Sequence, residues 1–168
     1  MKPTTRHGTG QTGEYLVAAE LARHGFAVAL PTGNAEAIDI LAYGFDQTLA
    51  IQVKTAGRGD HQFNLGKFVQ VVFQEDGTQT IVGRRENLDA NILIVFVFLG
   101  AAIGEDEFAW GTLGEFADFL GDAHQKYLDK NGGRRPGKNP RSLHASLTKK
   151  IIQERFTYSN VIDLLKSI

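Results

Sequence analysis

The chain has 168 residues, 18 Lys+Arg against 19 Asp+Glu, 42% hydrophobic residues and no Cys. That length fits one domain, or one domain with an appendage, and buries enough surface to fold without staples. The missing cysteines exclude a disulfide framework, a thiolate zinc site and a cysteine nucleophile, and they suit a reducing cytoplasm; a net charge of −1 excludes a globally basic nucleic-acid binder.

Met1 to His7 carries basic residues but no apolar segment behind them, so no signal peptide is expected. Gly8-Thr-Gly10-Gln-Thr-Gly13 spells G-x-G-x-x-G, yet no strand precedes it and no P-loop Lys follows it. Dinucleotide binding needs that strand, so the glycines read as a flexible entry to a helix. The helix is expected over Thr12 to His24, with Thr12 as N-cap and Gly25 at the left-handed C′ position. Glu14 heads the stripe Val17, Ala18, Leu21 that this helix would bury.

Strands are expected at Phe26–Pro31, Ala37–Tyr43 and Leu49–Thr55, the last two joined by a turn at Gly44-Phe-Asp-Gln. Asn64 to Glu86 alternates β-branched and polar residues around Asp76-Gly77, a hairpin signal. Asn91 to Leu99 is apolar throughout and reads as a central strand covered on both faces. It lies in the longest apolar run, Ile92 to Ile103, whose twelve residues are too few to span a bilayer as a helix. Phe108–Gly111 is a further strand, with Trp110 in the core or an interface. Leu113 to Lys130 has the 3.6-residue period of an amphipathic helix.

Charge is segregated downstream. Residues 75–122 hold ten acids and two bases, whereas 126–150 hold eight bases and one acid. The second stretch contains Asn131-Gly-Gly-Arg-Arg-Pro-Gly-Lys-Asn-Pro-Arg, which reads as a mobile loop or linker. Arg134, Arg135, Lys138 and Arg141 are its candidate phosphate contacts. Helices are expected near Arg141–Phe156 and Ser159–Lys166, so Ser142, His144 and Ser146 read as helix N-terminal polar residues. A helix, a run of strands and then helices is an α+β pattern on a mixed sheet.

One group of residues carries chemistry. Asp39 is a lone charge between Ile38 and Ile40, and Gln52 and Lys54 alternate with Ile51 and Val53. A strand buried on both faces does not hold such groups unless they are paired, metal-bound or in a cleft. The short turn makes the two strands antiparallel neighbours, which brings Asp39 beside Gln52 and Lys54. Glu14 joins them if its helix packs on that face. Two carboxylates and an amide oxygen are hard donors that suit Mg2+ or Mn2+. Such an ion acidifies a bound water and stabilises charge on a phosphate, and Lys54 can assist the attacking water. His61 and Gln62 read as loop polar residues, and the five histidines lack metal-ligand spacing.

On Gly13-Glu14-Tyr-Leu-Val-Ala-Ala-Glu-Leu, Gly25-Phe26, Ile38-Asp39 and Gln52-Val53-Lys54 the chain resembles the PD-(D/E)xK nuclease superfamily, above all its Holliday-junction-resolvase branch. Ile38 replaces the signature Pro. Gln52 replaces the acidic residue, as in the PD-(D/Q)xK homing endonucleases. The resemblance implies a restriction-endonuclease-like core over residues 1–125, then a basic loop at 126–140 and a helical extension of the same domain at 141–168. It implies a divalent-metal-dependent DNA phosphodiesterase, endonuclease-like, hydrolysing phosphodiester bonds by a metal-activated water. In that reading Asp39, Gln52 and Glu14 hold Mg2+ or Mn2+, Lys54 assists the nucleophile, and the partners are DNA and a second copy in a homodimer, with no membrane. The alternative is a catalytically inactive relative that binds nucleic acid or protein. A salt-dependent structural oligomer is a third reading. The superfamily core places a helix between its third and fourth strands, and residues 56–90 show no convincing one.

Overall fold

The computed structural model describes residues 6–31, 38–57, 59–102, 104–137 and 139–167, and the backbone alone at Arg6. The chain divides into two compact units. The first takes Met1–His61, Ile92–Thr112 and Leu147–Ile168, and the second takes Gln62–Asn91 and Leu113–Ser146.

The first unit opens with helix α1, Arg6–Arg23. It begins six residues before the expected N-cap and includes all three glycines of the G-x-G-x-x-G string. The Thr12 hydroxyl donates 2.8 Å back to the Gly8 carbonyl, so Thr12 sits inside the helix rather than capping it. Gly13 explains the composition. A Cβ there would lie 1.8 Å from Thr55 Oγ1, so the helix rests on the sheet through a missing side chain. At the other end Gly25 takes φ +89° and Phe26 N–H reaches the Leu21 carbonyl at 3.1 Å, a Schellman ending.

Five strands form a mixed sheet in the order β1-β2-β3-β7-β8. They are β1 (Ala27–Ala29), β2 (Ile40–Gly44), β3 (Gln47–Ala56), β7 (Leu93–Phe98) and β8 (Glu107–Thr112). The expected strand start at Ala37 lies outside the described residues. The β2–β3 hairpin closes through Phe45 and Asp46, both at positive φ, as a two-residue type I′ loop requires. β3 and β7 are parallel and every other pairing is antiparallel. All six residues of β7 are buried, which fits its place between β3 and β8.

Residue parity assigns the two faces of this sheet. Ile51 and Val53 share a core with Ile40, Val95 and the α1 residues Val17 and Leu21. That core also takes Val161 and Leu164 from the short helix α4, Val161–Leu165. On the other face Phe96 meets Phe156, just past helix α3 (Lys149–Arg155), with ring centroids 5.2 Å apart. Glu107 on β8 accepts from Lys149 Nζ at 2.5 Å and from Gln153 at 2.8 Å, which ties α3 to the sheet.

The second unit is a helix on a hairpin. Strands β5 (Val69–Phe73) and β6 (Gln79–Arg84) turn at Asp76-Gly77, with Gly77 at φ +86°. Helix α2 spans Leu113–Lys130, the range read from its periodicity. Its Gly121 lies against Ile81 and Val69, and its Phe116 packs 5.0 Å from Phe63 and 4.9 Å from Phe68. Phe63 belongs to β4 (His61–Asn64), which pairs with β9 (His144–Leu147). Residues 144–147 are thus a strand where a helix was expected, and helical structure starts only at Lys149. The stretch 56–90 holds β4, a 3-10 turn at Leu65–Lys67, β5 and β6 but no α-helix among the described residues.

The described part of the basic segment is tied to the hairpin through Gln79. Gln79, 1% exposed, donates its backbone N–H to the Gly133 carbonyl at 2.8 Å and its side-chain amide to the Pro140 carbonyl. Its amide oxygen lies 3.2 Å from His124 Nε2. Among the described residues no helix is long and apolar enough to cross a membrane.

Candidate functional site

Asp39 lies at the bend one residue before β2. Its backbone N–H donates to the Ile51 carbonyl at 2.9 Å, and its carboxylate accepts from the Val53 N–H at 2.7 Å. The carboxylate is therefore bound to the Gln52–Val53 peptide. A strand's backbone N–H lies in the plane of the sheet. Asp39 therefore sits half-buried at the rim of the sheet, just before the start of β2.

Gln52 and Lys54 project on the face shared with Ile94 and Phe96, their neighbours in the parallel ladder. Gln52 is 7% exposed, and its amide oxygen is buried. Helix α1 packs on the opposite face, with Ile51, Val53 and Thr55. This corrects the expectation that Glu14 and Lys54 share a face. Side-chain alternation groups Gln52 with Lys54, but it does not say which face a helix will cover.

Glu14 nevertheless senses the other groups. Gly13 brings this end of α1 onto Thr55, one residue past Lys54. Burial, then the Asp39 carboxylate, pushes the Glu14 carboxyl above its ordinary range, while His7 and Lys54 pull it back.

By donor chemistry, two carboxylates and an amide oxygen suit a hard divalent cation, but Gln52 lies on the face opposite α1, so the structure does not bring all three donors onto one face. Among the described residues no group of three or more His, Cys, Asp or Glu gathers as a metal site. The third donor would have to be the amide of Gln52.

His61 is not a loop residue. It opens β4, is 3% exposed, and stands edge-on to Phe96 and Phe98 with centroids 5.6 and 5.0 Å away. Its Nε2 lies 3.0 Å from the Lys54 carbonyl, and burial lowers its pKa. Gln62 donates to the Ser146 hydroxyl at 3.0 Å.

The candidate phosphate contacts belong to the second unit, and the structure gives each described one a partner there. Arg134 pairs with Asp76 at 2.8 Å, Arg135 donates to the His144 carbonyl, and Arg141 lies over the Phe73 ring at 5.7 Å. Two bonds from Thr78 and the Arg134 pair hold the Asp76 carboxyl at about 2. Lys138 lies outside the described residues.

No family model and no curated protein matches the sequence. Among solved structures, a bacterial homing endonuclease, I-Ssp6803I, aligns with 80% of this chain and 100% of its own length, at a TM-score of 0.46 and 13% identity. A likeness that distant assigns neither an activity nor site residues to this chain.

Proposed function

We propose that the chain is a divalent-metal-dependent DNA phosphodiesterase built on the PD-(D/E)xK plan with Gln52 in the acidic position. The observation that carries the reading is the bond that the Val53 N–H, between Gln52 and Lys54, donates to the Asp39 carboxylate, with Glu14 in electrostatic range. Asp39, Gln52 and Glu14 would hold Mg2+ or Mn2+, which supplies Lewis acidity toward a phosphate oxygen. The chain's own groups do the rest. Asp39 is fixed by its strand and needs no rearrangement to serve as a ligand. Lys54 orients the attacking water and balances the charge that grows on the phosphate as one P–O bond forms and the ester P–O bond breaks. Burial, and after it the Asp39 carboxylate, raises the Glu14 pKa, so occupancy of the site should weaken as pH falls through it.

The test measures Mn2+ binding and cleavage of plasmid, linear and branched DNA by wild type and Asp39→Ala. The expected result is metal-dependent cleavage that falls at least about a hundredfold in the variant, in line with losing a primary ligand. A folded wild type that neither binds Mn2+ nor cuts any of these DNAs would end the reading and leave a silent binding module.

A further inference from the structure

Lys54 is the proposed site's one cation on β3, and a long flexible side chain needs something to hold its direction. Its neighbours on the same face are Gln52 before it, Phe96 beside it on β7, and Ala56 and Phe98 beyond. His61 sits over that last pair. Its ring is buried edge-on to both phenylalanines, and its Nε2 meets the Lys54 carbonyl at 3.0 Å. A carbonyl only accepts, so Nε2 carries the proton in this bond, and burial lowers the pKa of the ring.

We propose that His61 is a positioning residue for Lys54. Its ring fills the face beyond Lys54 and its Nε2–H fixes the Lys54 peptide, so the ammonium is directed toward Gln52 and Asp39 rather than along Phe98. This rests on the nuclease reading for its functional consequence, but not for its geometry. His61 touches no substrate and acts only through Lys54. Its removal should therefore slow the cleavage step and leave DNA affinity alone, because a reacting group is displaced while the binding surface is unchanged.

The experiment uses the full chain as wild type, His61→Phe, which keeps a ring and loses the donor, and His61→Gln, whose amide nitrogen reaches as far as Nε2. Relaxation of 13C-labelled lysine reports the mobility of the Lys54 side chain without any catalysis. Single-turnover cleavage in Mg2+ and DNA affinity in Ca2+ report function. The expected result is a Lys54 side chain ordered in wild type and His61→Gln and mobile in His61→Phe. The cleavage constant should fall about tenfold in His61→Phe, recover to within about threefold in His61→Gln, and show no dependence on His61 in a Lys54→Ala background. DNA affinity should stay within about twofold throughout, since no phosphate contact is lost. If Lys54 is equally mobile in wild type and His61→Phe, the proposal is overturned whatever the cleavage assay gives. If His61→Phe acts equally with Lys54 present or absent, it is overturned as well. Lys54 ordered in wild type and mobile in His61→Phe, in a protein that cuts no DNA, would refute the nuclease reading and support the positioning contact.

Discussion

Gly13→Ala tests whether α1 rests on β3 as closely as the structure has it. In an exposed helix interior this change stabilises by about 1 kcal/mol, because alanine loses less backbone entropy. Here the added carbon would stand 1.8 Å from Thr55 Oγ1, 2.9 Å from Thr55 Cβ and 3.0 Å from its Cγ2. Rotating Thr55 does not clear the clash, since Cβ itself is too close and does not move with χ1. The helix must lift by several tenths of an ångström. Overpacking of this kind costs about 1–3 kcal/mol. The propensity gain offsets part of that, and the upper end applies because backbone must shift, so a net loss of about 1–2 kcal/mol is expected. For a chain of this size that lowers Tm by roughly 2–8 °C. Circular dichroism during thermal and urea unfolding measures it. Thr55→Gly removes all three contacts, and Gly13→Ala combined with Thr55→Gly should show a favourable coupling of about 1 kcal/mol or more. Glu14 follows Gly13 directly, so the lifted helix should also reduce metal-dependent cleavage, with part recovered in the double variant. A Gly13→Ala protein more stable than wild type would refute the packing and leave Gly13 in an uncrowded helix.

Gln52→Glu adds a buried carboxylate beside the Val53 amide that holds Asp39, so metal-free protein should lose stability chiefly at neutral and higher pH, where the new group ionises. Mg2+ should rescue it by more than it shifts wild type in the same thermal scan. Gln79→Ala strips the Gly133–Pro140 loop of its buried side-chain anchor and leaves His124 and a carbonyl unpaired; about 2 kcal/mol of stability should go, with new proteolytic cuts between 131 and 140. Neutralising Arg134, Arg135, Lys138 and Arg141 together should weaken DNA binding across sequences and flatten its salt dependence, and an unchanged slope would reduce the loop to a solvated anchor. Burial lowers the pKa of both His61 and His124. The unfolded chain therefore binds more protons below neutrality, stability should fall as pH drops through the ordinary histidine range, and His61→Phe should flatten that fall in acid unfolding curves.

Local signals identified several elements because the physics that forms them is local. The amphipathic period gave both ends of α2, the apolar run gave β7, and Asp76-Gly77 gave the hairpin turn. Strand alternation likewise grouped Gln52 with Lys54 on one face. Other features depend on residues far apart in the chain. The glycines before Glu14 look like a loop because glycine disfavours helix, yet Gly13 belongs in α1, where Thr55 leaves no room for a side chain. His144–Leu147 lacks a strong strand pattern and becomes one by pairing with β4 about eighty residues earlier. His61 reads as a polar loop residue and is buried by Phe96 and Phe98, some thirty-five residues later. The candidate site divides in the same way. The sequence by itself singled out the side chains whose donor groups suit a cation or a phosphate, and grouped Gln52 with Lys54 on one face. Only the tertiary structure decided that α1 covers the other face and that Asp39 sits at the rim of the sheet, held by the Val53 amide. Periodicity fixes the relative direction of side chains within one element; which face a partner covers is set by packing between elements.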